Sequence, residues 1–140
     1  MTARLLHELE IHLARGLHLD AEAAGLREAT ARVLLAVREG ETVTMSEIAR
    51  RVGRDPSTAT RFVDRAVADG LLNRTPGLQD RRRRVVELTP EGLATRARLK
   101  EIRVARADSL TSATLSETGL GLDQLEWFLN ALVTALNRRG

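Results

Sequence analysis

The sequence has no cysteine and no tyrosine, and among its 140 residues only two phenylalanines, one tryptophan and one lysine, Lys100. Without cysteine there is no disulfide scaffold, thiolate metal site, cysteine nucleophile or thiol redox sensor. Three aromatics are too few for a fold that stacks bases on aromatic side chains. No apolar run approaches the roughly 18 residues of a membrane span, so no membrane partner is expected. The opening stretch MTARLLHELEIHLARGLHLD mixes acids and bases into its apolar stripe. That is not the pattern of a signal peptide, and a cytoplasmic protein is expected. A glycine-rich phosphate loop, a convergent His/Asp/Ser set and paired carboxylates are lacking too, so neither an enzyme nor a cofactor is expected.

What is present is unevenly spread. The formal net charge is +3, but residues 1–40 carry −1, residues 41–100 carry +5 and residues 101–140 carry −1. The positive block is almost wholly arginine, whose planar fork suits phosphates and guanine edges. The length suits one domain, residues 1–140, with a real core.

Leu5, Leu9, Leu13 and Leu17 recur every fourth residue, which predicts an amphipathic helix over about 3–18. A second helix is expected over about 27–39, ended by Gly40. Thr44-Met-Ser-Glu47 has the form of a capping box, ahead of a two-turn helix that Gly53 breaks. Asp55-Pro56 starts another helix at once, with Asp as N-cap and Pro in the first turn, and it runs to about Asp69. Two short capped helices across a tight glycine turn form a helix-turn-helix pattern. Strands over 71–75 and 85–88 flank a Pro76-Gly77 turn and a basic tip, Arg81–Arg84, giving a β-hairpin. Thr89-Pro90-Glu91 opens a long helix to about 113, with Thr89 as a cap rather than a nucleophile. Leu122, Leu125, Leu129, Leu132 and Leu136 mark a last helix.

On the helix after Asp55, Ala59, Phe62, Val63, Ala66 and Val67 fall within one arc, the face expected to be buried. Ser57, Asp64, Arg61 and Arg65 lie opposite, flanked by Thr58 and Thr60. A helix entering the major groove N-terminus first needs hydroxyls for phosphates and arginines for guanine O6 and N7. The candidate DNA contacts are therefore Ser57, Thr58, Thr60, Arg61 and Arg65, joined by Arg81, Arg82, Arg83 and Arg84 at the hairpin tip, where arginines can reach the backbone or a narrow minor groove. Alternation along the hairpin prevents all four from pointing one way, and Arg84 lies nearest the strand.

Asp55-Pro-Ser-Thr-Ala-Thr-Arg-Phe-Val-Asp-Arg65, Gly70-Leu-Leu-Asn-Arg74, Asp80-Arg-Arg82 and Leu88-Thr-Pro-Glu-Gly92 together resemble the MarR family of winged-helix transcription regulators. The implied fold is mainly α with a small β-hairpin. It is a winged helix-turn-helix lobe (26–89) flanked by N- and C-terminal dimerisation helices (1–20 and 90–140). The resemblance also implies a homodimer on double-stranded DNA at a pseudo-palindromic operator, most often a repressor released by a small, often phenolic, effector. The terminal leucine stripes point to a dimer independently. By the resemblance Asp80 pairs with Arg82 to hold the wing, while a neighbouring arginine enters the minor groove. The chain departs from the family pattern at Arg27, where Thr or Ser usually follows Gly-Leu, at Ala31, an aromatic site, and at Ala66, usually Leu. The missing aromatic counts against a phenolic ligand. The alternatives are a winged helix acting through a protein partner and a non-specific DNA-binding protein.

All three histidines, His7, His12 and His18, lie on the first helix. His7 and His18 share a face but stand too far apart for one metal ion, and no metal is expected within this helix; a site between subunits stays open. His12 and Arg15 are candidate effector contacts, Arg15 through a bidentate pair with a carboxylate. Trp127 and Phe128 are read as dimer core rather than a ligand cage.

Overall fold

Local capping chemistry sets most of the element boundaries. The computed structural model describes residues 2–138. In chain order they form α1 (Thr2–Ala23), α2 (Glu28–Ala36), β1 (Val43–Thr44), α3 (Met45–Val52), α4 (Pro56–Ala68), β2 (Leu72–Pro76), β3 (Arg84–Leu88), α5 (Pro90–Thr118) and α6 (Leu122–Asn137). Residue contacts divide the chain within α5: one compact unit runs up to Arg103, the other starts at Val104.

In the first unit, α1 outruns the leucine stripe. It continues through the buried Asp20 and Ala21, and the Leu26 N–H closes its end on the Ala21 carbonyl at 2.8 Å. Helix α2 is shorter than expected. It stops at Ala36, because Val37 turns extended to enter the core. Carbonyls at that end gain partners from far along the chain: Arg51 Nη1 donates to Ala36 O at 2.7 Å, and Arg96 Nε to Leu34 O at 3.0 Å, beside the Val37 N–H. Gly40 therefore sits in the following turn rather than at the helix end.

Thr44 caps α3 as expected, its hydroxyl oxygen accepting from the Glu47 N–H at 3.3 Å. The reciprocal half of the capping box is not made. Glu47 instead accepts from Arg50 and Arg51, and Thr44 itself belongs to β1, paired with Val85. Arg51 also holds Glu41 through both terminal nitrogens, at 2.7 and 2.8 Å. The Arg51 hydrogen bonds, then the Arg38 amide, lower the Glu41 carboxyl from 4.5 to about 2. Arg50, then Arg51, lower Glu47 likewise to about 2. This network ties α3 to the end of α2.

The hairpin is part of a three-stranded antiparallel sheet in the order β1-β3-β2. The expected β2–β3 hairpin is present, and the two-residue β1, too short to read from a sequence pattern, joins it as a third strand. Pro76 ends β2 opposite Arg84 rather than lying in the turn. Such a place suits proline, which has no N–H to offer a ladder. Buried side chains of α2, α3, α4 and the sheet, including Leu34, Val37, Ile48, Val63, Leu72 and Val86, form one core. A second, smaller cluster joins Ala21, Ala24, Ala31 and Leu99. Beside it the buried Asp20 carboxylate accepts from Arg103 Nη1 at 3.2 Å.

In the second unit α5 runs on to Thr118, and Gly119 at φ 67° ends it. The Gly121 N–H, donating to Gln124 Oε1 at 2.9 Å, helps start α6. No described residue of this unit is buried, although α6 carries the leucine stripe. Among the described residues no helix is long and apolar enough to cross a membrane.

Candidate nucleic-acid interface

The turn into α4 depends on Gly53, whose φ of 65° is costly for any residue with a Cβ. Asp55 then caps α4, accepting from the Thr58 N–H at 3.0 Å. The Ser57 and Thr58 hydroxyls donate to the same carboxylate at 2.7 and 2.6 Å, and the Thr60 hydroxyl donates to Pro56 O at 2.8 Å. Hydrogen bonds from the Thr58 hydroxyl, then the Ser57 hydroxyl and the Thr58 amide, hold the Asp55 carboxyl well below the usual range. All three hydroxyls expected to donate to phosphates thus spend their protons within the helix. Their first role is to hold its N-terminus.

The buried face of α4 is as expected: Ala59, Val63 and Ala66 are buried, and Phe62 and Val67 are half-buried. Arg61 is exposed and, among the described residues, no carboxylate pairs with it. Arg65 is exposed and lies 3.9 Å from Asp69 Oδ2, a loose pair. Asp64, the acid between these arginines, is held by Arg74 of β2. The sequence places Asp64 on the outer face but gives no sign of this partner, ten residues away on another element. It leaves the helix face net positive. Arg54, in the turn ahead of α4, is exposed as well and was absent from the expected set. Its adjacency to the capping Asp55 is the signal that could have found it.

At the wing, Arg81, Arg82, Arg83 and Arg84 are all exposed. The Gly77 N–H donates to Arg83 O at 2.6 Å, and the Arg83 N–H to Asp80 O at 3.0 Å. A Cβ at Gly77 would lie 2.9 Å from Asp80 O, so this tight base of the loop requires glycine. Asp80 does meet Arg82, but its Oδ1 accepts from the Arg82 backbone N–H at 2.9 Å. The pair thus meets through the Arg82 backbone, and among the described residues no carboxylate pairs with the Arg82 guanidinium. Arg84 opens β3 on the same side of the strand as the buried Val86.

Thr89 caps α5 from two directions: its hydroxyl donates to Gly70 O at 2.7 Å, and its oxygen accepts from the Gly92 N–H at 2.9 Å. His12 and Arg15 are exposed on α1, and neither lines the hollow beside Leu17 and Arg32 or the one beside Arg27 and Arg61. His18 lies 3.9 Å from Glu22 and 3.7 Å from Glu28. Among the described residues no three potential ligands gather for a metal ion. Trp127 and Phe128 are 73% and 55% exposed.

The family model described as the MarR family matches residues 26–83. No curated protein matches the chain. Solved structures do. The transcriptional repressor CouR, bound to a 23-mer DNA duplex, is 26% identical over 97% of this chain and 92% of its own, with a TM-score of 0.78. A mutant of MarR from E. coli, complexed with operator DNA, is 24% identical over 96% of this chain and 92% of its own, with a TM-score of 0.76. BpsR of Bordetella bronchiseptica, whose DNA binding is regulated by 6-hydroxynicotinic acid, is 21% identical over 96% and 92%, with a TM-score of 0.72. At these last two identities the likeness is one of fold.

Proposed function

We propose that this chain, whose residues 26–83 match the MarR family model and whose fold is that of the repressor CouR, is a MarR-family regulator: a dimeric, sequence-specific DNA-binding repressor. The family is one of transcription regulators, not enzymes. The observation that carries the reading is Arg61, without a carboxylate partner among the described residues on the open face of a capped helix, together with a wing of four exposed arginines. Arg61 and Arg65 read base edges in the major groove. Ser57, Thr58 and Thr60 set the helix N-terminus against the backbone. Arg81, Arg82 and Arg83 act at the wing, on phosphates or in the minor groove, and Arg84 supports them from the strand end.

The dimer is supported by apolar surface that the single chain leaves uncovered. Leu5, Leu6, Leu9 and Leu13 of α1 are exposed, and so are Trp127, Phe128, Leu129, Val133 and Leu136 of α6. Contiguous apolar faces of this kind mark interfaces. We infer that a second copy covers both, with 1–20 and 90–140 as the dimerisation helices and 26–89 as the DNA-binding lobe. A two-fold axis would then set the recognition helices one turn of DNA apart, roughly 34 Å. Release by a small effector follows from the family reading, with His12 and Arg15 as its candidate contacts.

Selection of bound duplexes from a random-sequence pool tests the function. The expected product is an inverted repeat with half-sites one turn apart. Equal affinity for the recovered duplex and a scrambled one would overturn the reading.

A further inference from the structure

Between the start of α2 and the flank of α4 lies an open hollow of about 590 Å³, lined by Arg27, Thr30, Arg61, Asp64 and Arg65 among others. Helix α2 has no side-chain cap: Arg27 is its N-cap and makes no capping hydrogen bond. The first backbone bond of the helix runs from the Ala31 N–H to Arg27 O. The amides of Glu28, Ala29 and Thr30 therefore have no acceptor among the described residues. Thr30 is only 2% exposed, and its hydroxyl oxygen is buried with no hydrogen-bond partner among the described residues. A buried hydroxyl left unpaired costs stability, so it calls for an explanation.

The charges around the hollow favour an anion. Three guanidiniums line it, and the carboxylate on its wall, Asp64, is already held by Arg74. Glu28, at the head of α2, pairs with Arg32 at 2.8 Å. Unsatisfied helix amides, a buried threonine hydroxyl without a partner and arginine forks are together the donor set that a phosphate oxygen takes. Two of those arginines, Arg61 and Arg65, also belong to the face proposed to enter the groove. The hollow therefore shares Arg61 and Arg65 with the face on which a duplex would sit.

We propose that the hollow is a clamp for a DNA backbone phosphate, with Arg27, the Thr30 hydroxyl and the first amides of α2 as its donors. This rests on the DNA-binding reading and adds to it two residues that make sequence-independent contacts and fix the register of α4 on the duplex.

Full-length Arg27→Ala and Thr30→Val test it, each titrated with salt against the duplex recovered by selection and its scrambled form. Arg27→Ala should weaken both duplexes by the same factor and lower the log–log salt slope by about 0.9. Thr30→Val keeps the volume and removes the hydroxyl. It should weaken binding to both duplexes while raising the thermal midpoint of the free protein. An unchanged slope in Arg27→Ala, or wild-type binding by Thr30→Val, overturns the clamp. So does a result in which inorganic phosphate, at fixed ionic strength, stabilises the wild type but not Arg27→Ala while the DNA slope is unaffected; the hollow would then hold a free anion. If the wild type binds neither duplex, the DNA-binding reading falls and the clamp with it. If the wild type binds and both variants match it, the clamp alone falls.

Discussion

At the scale of single residues, position matters more than type. Arg51 and Arg61 are both arginines of the basic block, but Arg51 is spent on Glu41, Glu47 and the Ala36 carbonyl, whereas Arg61 has no such partner. The outer face of α4 could be read from helical periodicity, and so could its cap. The inward turn of the three hydroxyls could not, because helical period gives the side of the helix but not the rotamers that send Ser57 and Thr58 to the Asp55 carboxylate and Thr60 to the Pro56 carbonyl. Arg61→Ala is expected to lose about 1–3 kcal/mol of base discrimination, measured as the affinity ratio between the recovered duplex and single-base variants. An equal loss on every sequence would make Arg61 a phosphate contact instead. Gly92 is fixed by a close approach rather than by conformation. A Cβ there would lie 1.8 Å from the Leu71 carbonyl oxygen, at the junction that Thr89 also bridges. Gly92→Ala should therefore destabilise the lobe by about 3 kcal/mol, the upper end of overpacking costs, read by urea unfolding. A variant as stable as the wild type would show that the junction yields.

At the scale of elements, those with local caps were legible and those ended by distant partners were not. Asp55-Pro56 and Thr89-Pro90 start α4 and α5 where the sequence places them, since an N-cap acts within three residues. The end of α2 depends on Arg51 and Arg96, and β1 exists because β3 passes beside it. The Arg51 network also sets a pH dependence. Glu41 and Glu47 titrate lower in the folded protein than in the unfolded chain, so their contribution is complete above pH 4.5 and is lost as pH falls toward about 2. The thermal midpoint should fall across that window, and Glu41→Gln should flatten the fall. An equally steep fall in Glu41→Gln would place the acid sensitivity elsewhere.

At the scale of the whole molecule, the proposed dimer rests on the apolar faces of α1 and α6. Neither Leu9 nor Phe128 is covered within the chain, at 42% and 55% exposure. Leu9→Arg and Phe128→Glu should each shift the protein toward monomer in analytical ultracentrifugation, with the far-ultraviolet signal of the lobe retained. Operator affinity should drop by roughly 100-fold or more, because two tethered lobes act at high effective concentration and one does not. A variant that stays dimeric, or a monomer that binds as tightly, would sink the dimer reading.

The sequence by itself determined the helix starts, the buried and open faces of α4 and the clustering of positive charge on the wing. Each follows from interactions within a few residues or from the period of a helix. Only the tertiary structure decided which charges remain available. It set Arg74 on Asp64, spent Arg51 on the end of α2 and packed other elements over Thr30, whose hydroxyl has no partner among the described residues. Those outcomes depend on groups brought together from different elements, and local periodicity carries no record of such meetings.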